Sequence, residues 1–177
     1  THKEIHLVEK IEDVKKLPFD QNTNIAYVTQ TTLSVDDTKE IINEIKSRFN
    51  NVKEPNKNDI CYATTNRQKA VKEIAAKCDY FLVIGSPNSS NSLRLVEVAK
   101  NYGAKNCILI ENVNEVETSI FNNTVSIGIT ASASAPEVLV KNIINKLSKK
   151  FDLNIIESSF EKEDIHFKIP QKLKEAS

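Results

Sequence analysis

Apolar residues in this chain gather in short runs, and between those runs they fall three or four positions apart. The first pattern marks buried strands and the second amphipathic helices. In order, residues 5–8 predict a strand, 11–17 a short helix closed by Pro18, and 24–28 a second strand. A polar turn follows, Thr29-Gln-Thr-Thr-Leu-Ser34. Ser34 is placed to cap a helix whose first turn holds Asp36 and Asp37, acids suited to the positive end of the helix dipole. Ile42, Ile45 and Phe49 form one stripe of that helix, and the Asn/Lys/Pro-rich stretch 50–58 predicts a linker.

After Pro55 the alternation restarts. Residues 60–61 are predicted to end a short strand, and Thr65-Asn-Arg-Gln68 has the form of a capping box. Val71, Ile74, Ala75 and Cys78 then recur at helical spacing as one buried face. Residues 80–85 predict a strand, and 92–102 a helix with Gly103 just past its end. Strands over 107–110 and 124–130 bracket a helix near 113–121. Ser134-Ala-Pro-Glu137 opens the last long helix, with Ser134 as cap, Pro136 in the first turn and Val140, Ile143, Ile144 and Leu147 as stripe. Such alternation with helix-length crossovers predicts an α/β fold of parallel sheets flanked by helices. It divides into two units near residue 56. The first has only two strands, too few to stand alone, so more of it is expected upstream. The tail 151–177 has no clear period and is expected to lie on the surface or add a strand.

Composition narrows the function. Lys plus Arg equals Asp plus Glu at 24 each, so no basic surface argues for nucleic acid or anionic lipid. No apolar run approaches the roughly 20 residues needed to cross a bilayer. Three cysteines without close spacing fit a reducing compartment better than a disulfide framework. Lys outnumbers Arg about sevenfold and Asn is abundant, which reports A/T-rich codons. With only 3 glycines, Gly85, Gly103 and Gly128 are expected where a Cβ would be costly.

Candidate chemistry collects where strands give way to helices. Cys61 sits before a helix N-terminus, where a thiolate is stabilised by the dipole and can act as nucleophile, metal ligand or iron–sulfur ligand. The plainer reading is a small buried hydrophobe, and the odds from position alone are about even. Cys78, on an apolar stripe, and Cys107, opening a buried strand, read as core. Asn88-Ser-Ser-Asn91 offers hydroxyl and amide donors at a helix N-terminus, a setting for phosphate or carboxylate. Hydrogen bonds to a charged partner contribute about 1.5–3 kcal/mol each, so a few can hold an anion without a lysine. Capping explains one of these four residues, not all. Ser132-Ala-Ser-Ala-Pro136 repeats the geometry, with capping by Ser134 an adequate explanation, and Thr29–Ser34 is more polar than a cap needs. His2, His6 and His166 lie near the ends in no zinc-like spacing with Cys61. Neither a dinucleotide fingerprint nor a nucleophile elbow is present.

Four strings carry a family resemblance: Val28-Thr-Gln-Thr-Thr-Leu-Ser-Val-Asp-Asp37, Asp59-Ile-Cys-Tyr-Ala-Thr-Thr-Asn-Arg-Gln68, Gly85-Ser-Pro-Asn-Ser-Ser-Asn-Ser-Leu-Arg-Leu95 and Gly128-Ile-Thr-Ala-Ser-Ala-Ser-Ala-Pro-Glu137. In order and spacing, over roughly residues 5–150, the chain resembles the C-terminal part of the LytB/IspH family, the 4-hydroxy-3-methylbut-2-enyl diphosphate reductases of the non-mevalonate (MEP) isoprenoid pathway. The resemblance implies a trefoil of three small α/β domains, of which about one and a half are present. Residues 1–56 would be the C-terminal half of the middle domain, 57–150 the complete last domain and 151–177 an extension. It further implies a 4Fe-4S cluster held by three cysteines, with Cys61 as the last, leaving one iron open to the substrate's oxygen. Thr31, Ser89, Ser90, Asn91 and Ser134 are then expected to contact the diphosphate or hydroxyl of an allylic diphosphate. Two electrons and protons remove the C4 hydroxyl as water, giving isopentenyl and dimethylallyl diphosphates.

The family's other two cysteines, its diphosphate-binding histidines and its proton-donating glutamate fall in motifs that this sequence does not contain, so no catalytic acid is assigned within it. Ser132 stands where the family usually has Gly. Alone, the chain is not expected to be a competent reductase. It needs the N-terminal portion of the protein and a ferredoxin- or flavodoxin-type electron donor. The codon bias suits an A/T-rich bacterium or a parasite plastid, and the reading leans to an apicoplast-like plastid with the bacterial cytoplasm as alternative. Two competing readings remain at this level: a cluster-free α/β module that binds a phosphorylated small molecule through residues 88–91 and 131–134, and a scaffold whose polar turns are only caps.

Overall fold

The computed structural model describes residues 4–55, 59–123 and 126–157. Its elements fall into two parallel sheets. The first is a pair, β1 (Asn24–Ala26) beside β2 (Asn51–Lys53). Helix α1 (Ile11–Lys16) precedes it, and α2 (Val35–Arg48) forms the crossover between its strands. Ser34 caps α2 by accepting the Asp37 N–H at 3.2 Å, and Asp36 and Asp37 occupy the first turn, as the sequence predicts. Val14, Ile45 and Phe49 are the buried apolar residues of this part.

The second sheet has β3 (Tyr80–Ile84) at its centre, β4 (Asn106–Ile110) on one side and β5 (Ile127–Ala131) on the other, all parallel. Helices α3 (Tyr62–Ile74), α4 (Ser90–Asn101) and α5 (Glu137–Ser148) cover it. Residues Phe81 to Ile84 are all at 0 % exposure, so the β3 pattern is a continuous apolar run rather than an alternation. The alternation is in which face they serve. Phe81 and Val83 pack with Val71, Ala75, Leu95 and Val98, while Leu82 and Ile84 pack with Ile110, Phe121, Ile143 and Leu147. Thus α3 and α4 lie on one face and α5 on the other.

That arrangement fixes where a ligand can enter. The chain leaves β3 toward α4 and leaves the neighbouring β5 toward α5, on opposite faces. The order reverses at this point, which makes the C-terminal ends of the two strands a switch point, the place where such sheets usually take a ligand. Gly85 lies at that switch point: a Cβ there would stand 2.1 Å from Ser92 Oγ and 2.9 Å from Ser132 Oγ, so only glycine lets these turns close together. Gly103, just past α4, has φ +95°, the left-handed conformation expected of a helix-ending glycine.

Several expectations shift. Residues 5–8 form no strand: Ile5 and Leu7 are 95 % and 81 % exposed, and only Val8 reaches the core. The partner of β1 lies within the predicted linker, where Val52 alone turns inward between exposed Asn51 and Lys53. Residues 59–60 form a bend rather than a strand, and α3 begins at Tyr62 with Cys61 as its N-cap residue. Thr65 and Gln68 are therefore inside the helix and form no capping box. The helix near 113–121 is two 3-10 turns, Val113–Glu115 and Thr118–Phe121. The α5 cap residue is Pro136, not Ser134. Phe151 and Leu153 pack against the α5 side of the sheet, while 158–177, the start of the strand expected at 124 and the end of the linker lie outside the described residues.

Candidate functional site

The polar turns named from the sequence meet at one end of the larger sheet. β3, β4 and β5 run in register to Ile84, Ile110 and Ala131, so the turns after β3 and β5 emerge side by side. The Ser132 N–H donates to the Ile84 carbonyl at 2.8 Å, extending the ladder one residue into the turn. The Ser132 hydroxyl, 1 % exposed, lies 3.4 Å from that of Ser134, which faces solvent. Because Pro136 takes the cap position, Ser134 has no helix end to satisfy.

In the turn after β3, Ser89 is the N-cap of α4 and accepts the Ser92 N–H at 3.4 Å. Ser90 is exposed at the first helical position. Asn91, only 7 % exposed, has neither its amide nitrogen nor its carbonyl oxygen hydrogen-bonded, and the buried Ser92 hydroxyl is likewise unpartnered. A buried amide without partners costs on the order of 1–3 kcal/mol. This cost is borne at the switch point, beside exposed helix N–H groups, where an anion or hydroxyl of a ligand would satisfy it.

Cys61 and Thr31 are joined directly. The Cys61 N–H donates to the Thr31 carbonyl at 3.1 Å, and the Asp59 carboxylate accepts the Thr29 N–H at 2.8 Å. Ser34, not Thr31, caps α2, which leaves the exposed Thr31 without a capping duty. The Cys61 side chain makes no capping bond and is partly buried. Helix α3 brings this pair to the serine turns, since the Arg67 Nε–H donates to the Ala131 carbonyl at 3.1 Å, where β5 ends. All four sequence strings thus lie at one end of the molecule.

Two further side chains hold this arrangement; the sequence offered Gln68 only as a capping-box residue and did not single out Lys72. Gln68, at 0 % exposure, accepts the Val35 N–H at 3.0 Å and donates to the Leu33 carbonyl at 2.9 Å. Lys72 pairs with Asp36 at 2.6 Å, and the Tyr102 hydroxyl donates to the same carboxylate at 2.7 Å. These two contacts hold the Asp36 carboxyl below its ordinary value. The only available signal was spacing: Gln68 and Lys72 follow Cys61 on the same side of a helix, but their partners lie over thirty residues away.

Cys78 and Cys107 pack into the apolar cluster under α3 and α4, as expected, and burial raises both thiols above their ordinary value. Among the described residues, no three His, Cys, Asp or Glu side chains come together as a metal site. His6 packs edge-on against Phe19 in the small unit, while His2 and His166 lie outside the described residues.

The model of the family described as LytB protein matches residues 1–148. The chain belongs to that family. Curated LytB relatives include 4-hydroxy-3-methylbut-2-enyl diphosphate reductases of Methylocella silvestris, 46% identical over 173 residues, and of Haemophilus influenzae, 48% identical over 171. These matches cover 98% and 96% of this chain but 54% of each relative, so the chain spans about half their length. Among solved structures, the E-1-hydroxy-2-methyl-but-2-enyl-4-diphosphate reductase of Plasmodium falciparum superposes with a TM-score of 0.85 at 34% identity, over 97% of this chain and 54% of that one. A second LytB-like structure, titled as the terminal enzyme of the non-mevalonate pathway, matches with a TM-score of 0.51 at 31% identity, over 80% of this chain and 49% of that one. No helix among the described residues is long and apolar enough to cross a membrane.

Proposed function

We propose that this chain is the substrate-gripping C-terminal portion of a 4-hydroxy-3-methylbut-2-enyl diphosphate reductase. Its reaction breaks the C4–O bond of the allylic diphosphate, takes up two electrons and two protons, and releases water with isopentenyl or dimethylallyl diphosphate. The observation that carries this reading is Asn91, buried with both amide atoms unpartnered at the switch point. A scaffold whose turns only cap helices has no use for it. A neutral cradle of Ser89, Ser90, Asn91, Ser134 and Thr31 suits a diphosphate, whose oxygens accept hydrogen bonds without needing a lysine beside the reacting carbon.

Cys61 fits one ligand of an iron–sulfur cluster: a partly buried thiol at a helix N-terminus, with no competing capping bond, tied to the Thr31 turn. A bound 4Fe-4S cluster would supply electrons and a Lewis-acidic iron for the departing oxygen. One thiolate does not hold it. The remaining ligands, the proton-donating acid and the histidines are assigned to an N-terminal portion supplied with this chain, and the electrons to a ferredoxin- or flavodoxin-type donor. In this assignment, residues 1–56 complete a middle domain begun in that portion, 57–150 form the last domain, and 151–177 extend it. Because the curated relatives at 46–48% identity are bacterial, we place the protein in a bacterial cytoplasm in preference to a plastid.

The test is anaerobic purification of the polypeptide that carries this chain together with its N-terminal portion. Brown colour, bound iron and reduction of the allylic diphosphate are expected. Cys61→Ala is expected to lose all three, and Cys78→Ala to keep them. Retention of iron in Cys61→Ala would overturn the ligand assignment.

A further inference from the structure

Gln68 is an anomaly if α3 is only a cover for the sheet. It is a fully buried polar residue within a helix, and its amide is spent on the backbone of another segment. Three contacts follow one another along α3. Cys61 N–H meets the Thr31 carbonyl, Gln68 spans the Leu33 carbonyl and the Val35 N–H, and Lys72 meets Asp36. The spacing 61, 68, 72 keeps them on one side of the helix. Their partners, 31, 33, 35 and 36, run from the turn before α2 into its first turn.

Of these contacts, the Gln68 pair is the one shielded from water. The Asp36 carboxylate is partly exposed, and the bonds at Cys61 and Asp59 reach only residues 31 and 29, which leaves the 33–35 side of the turn to Gln68. A primary amide supplies one acceptor and two donors in a plane. It can therefore fix a backbone N–H and a backbone carbonyl two residues apart at once, which sets both the position and the tilt of the turn.

We propose that Gln68 is a positioning residue: its amide holds the 31–35 turn against α3, so that Thr31 is presented at a fixed offset from Cys61. This rests on the reading of Thr31 as a substrate contact. Gln68 touches no substrate and acts through Thr31. Its removal changes how well the diphosphate substrate is held, while the cluster, held by sulfur, stays in place.

The experiment uses the full iron-loaded enzyme and a double-mutant cycle. Thr31→Ala and Gln68→Met are compared singly and together for KM and kcat with the allylic diphosphate, iron content and denaturant midpoint. Gln68→Met is expected to raise KM about tenfold with iron content unchanged and kcat altered less than KM. The double variant is expected to show no larger KM than Thr31→Ala alone. A control, Val14→Ala, lowers stability at the far end of α2 and is expected to leave KM as it is. A Gln68→Met variant that folds but loses its iron would overturn the proposal; if it fails to fold, Gln68→Glu, which keeps an acceptor for the Val35 N–H, takes its place in the cycle. Additive effects on KM, or an unchanged KM in the Gln68 variant beside a raised one in Thr31→Ala, would overturn the proposal alone. An unchanged KM in Thr31→Ala would overturn it together with the assignment of Thr31.

Discussion

A side chain kept for a ligand and one kept for stability respond oppositely to removal. In the proposed function Asn91 is of the first kind. Its amide is buried and hydrogen-bonds to nothing, so Asn91→Leu removes an unpaired polar group from the interior. The denaturant midpoint of this variant is expected to be unchanged or higher, while affinity of the full enzyme for its diphosphate substrate falls at least about tenfold. Equilibrium unfolding beside substrate titration checks both halves. Gly85 is the second kind. Gly85→Ala drives a methyl into Ser92 and Ser132, and is expected to destabilise by about 1–3 kcal/mol, read as a lower denaturant midpoint. The cysteines separate the same way. Burial raises the Cys78 and Cys107 thiols above their ordinary value and packs them against the core, so alkylation at both is expected to be slower than in the unfolded chain, as timed mass spectrometry would show.

At the scale of elements, what can be read from sequence depends on whether an element's partners are near in the chain. Helices α2, α4 and α5 and strands β3, β4 and β5 carry their own period, apolar runs or caps, and the sequence places them within a few residues. β2 has one inward residue in three and no apolar run, so nothing local distinguishes it from a linker; its pairing with β1 makes it a strand. Residues 59–60 fail the other way. The apolar pair Ile60-Cys61 suits the end of a strand, but Asp59 and Cys61 spend their bonds on the 29–31 turn and no ladder forms. The position of Cys61 before a helix was legible. Its tie to Thr31 through a backbone bond was not, because that bond belongs to no side-chain pattern. The contact between α2 and α3 gives an element-scale prediction. Asp36 is held low, first by Lys72 and then by Tyr102, so the folded state binds its proton less readily than the unfolded chain. Its contribution is complete above the ordinary aspartate value of 3.8 and is lost as pH falls below that toward the depressed folded value. Denaturation at pH 5 and at pH 3 is expected to show a smaller acid-dependent loss in Asp36→Asn than in the parent.

For the whole molecule, the decisive quantity is how many metal ligands one chain brings. A four-iron cluster is held by cysteine thiolates at several corners, and losing most of them leaves iron exposed to exchange and oxidation. Cys61, tied by its N–H to the Thr31 turn, is the single cysteine of this sequence outside the apolar clusters, and Cys78 and Cys107 pack against the core. The larger sheet is held by apolar burial: β3 is buried on both faces by apolar side chains, and the two sheets are linked through Gln68, Lys72 and Arg94. Folding and cluster binding should therefore come apart. Expressed alone and reconstituted anaerobically with iron and sulfide, these 177 residues are expected to keep a cooperative unfolding transition for the three-stranded sheet and its helices, while the two-stranded unit is left incomplete. After desalting they are expected to hold far less than one cluster per chain. Joined to the N-terminal portion, the same residues are expected to bind iron stoichiometrically and lose it on Cys61→Ala. A stable full cluster on the isolated chain would show that the ligand set is complete without that portion, and would require Cys78 or Cys107 to leave its packed position.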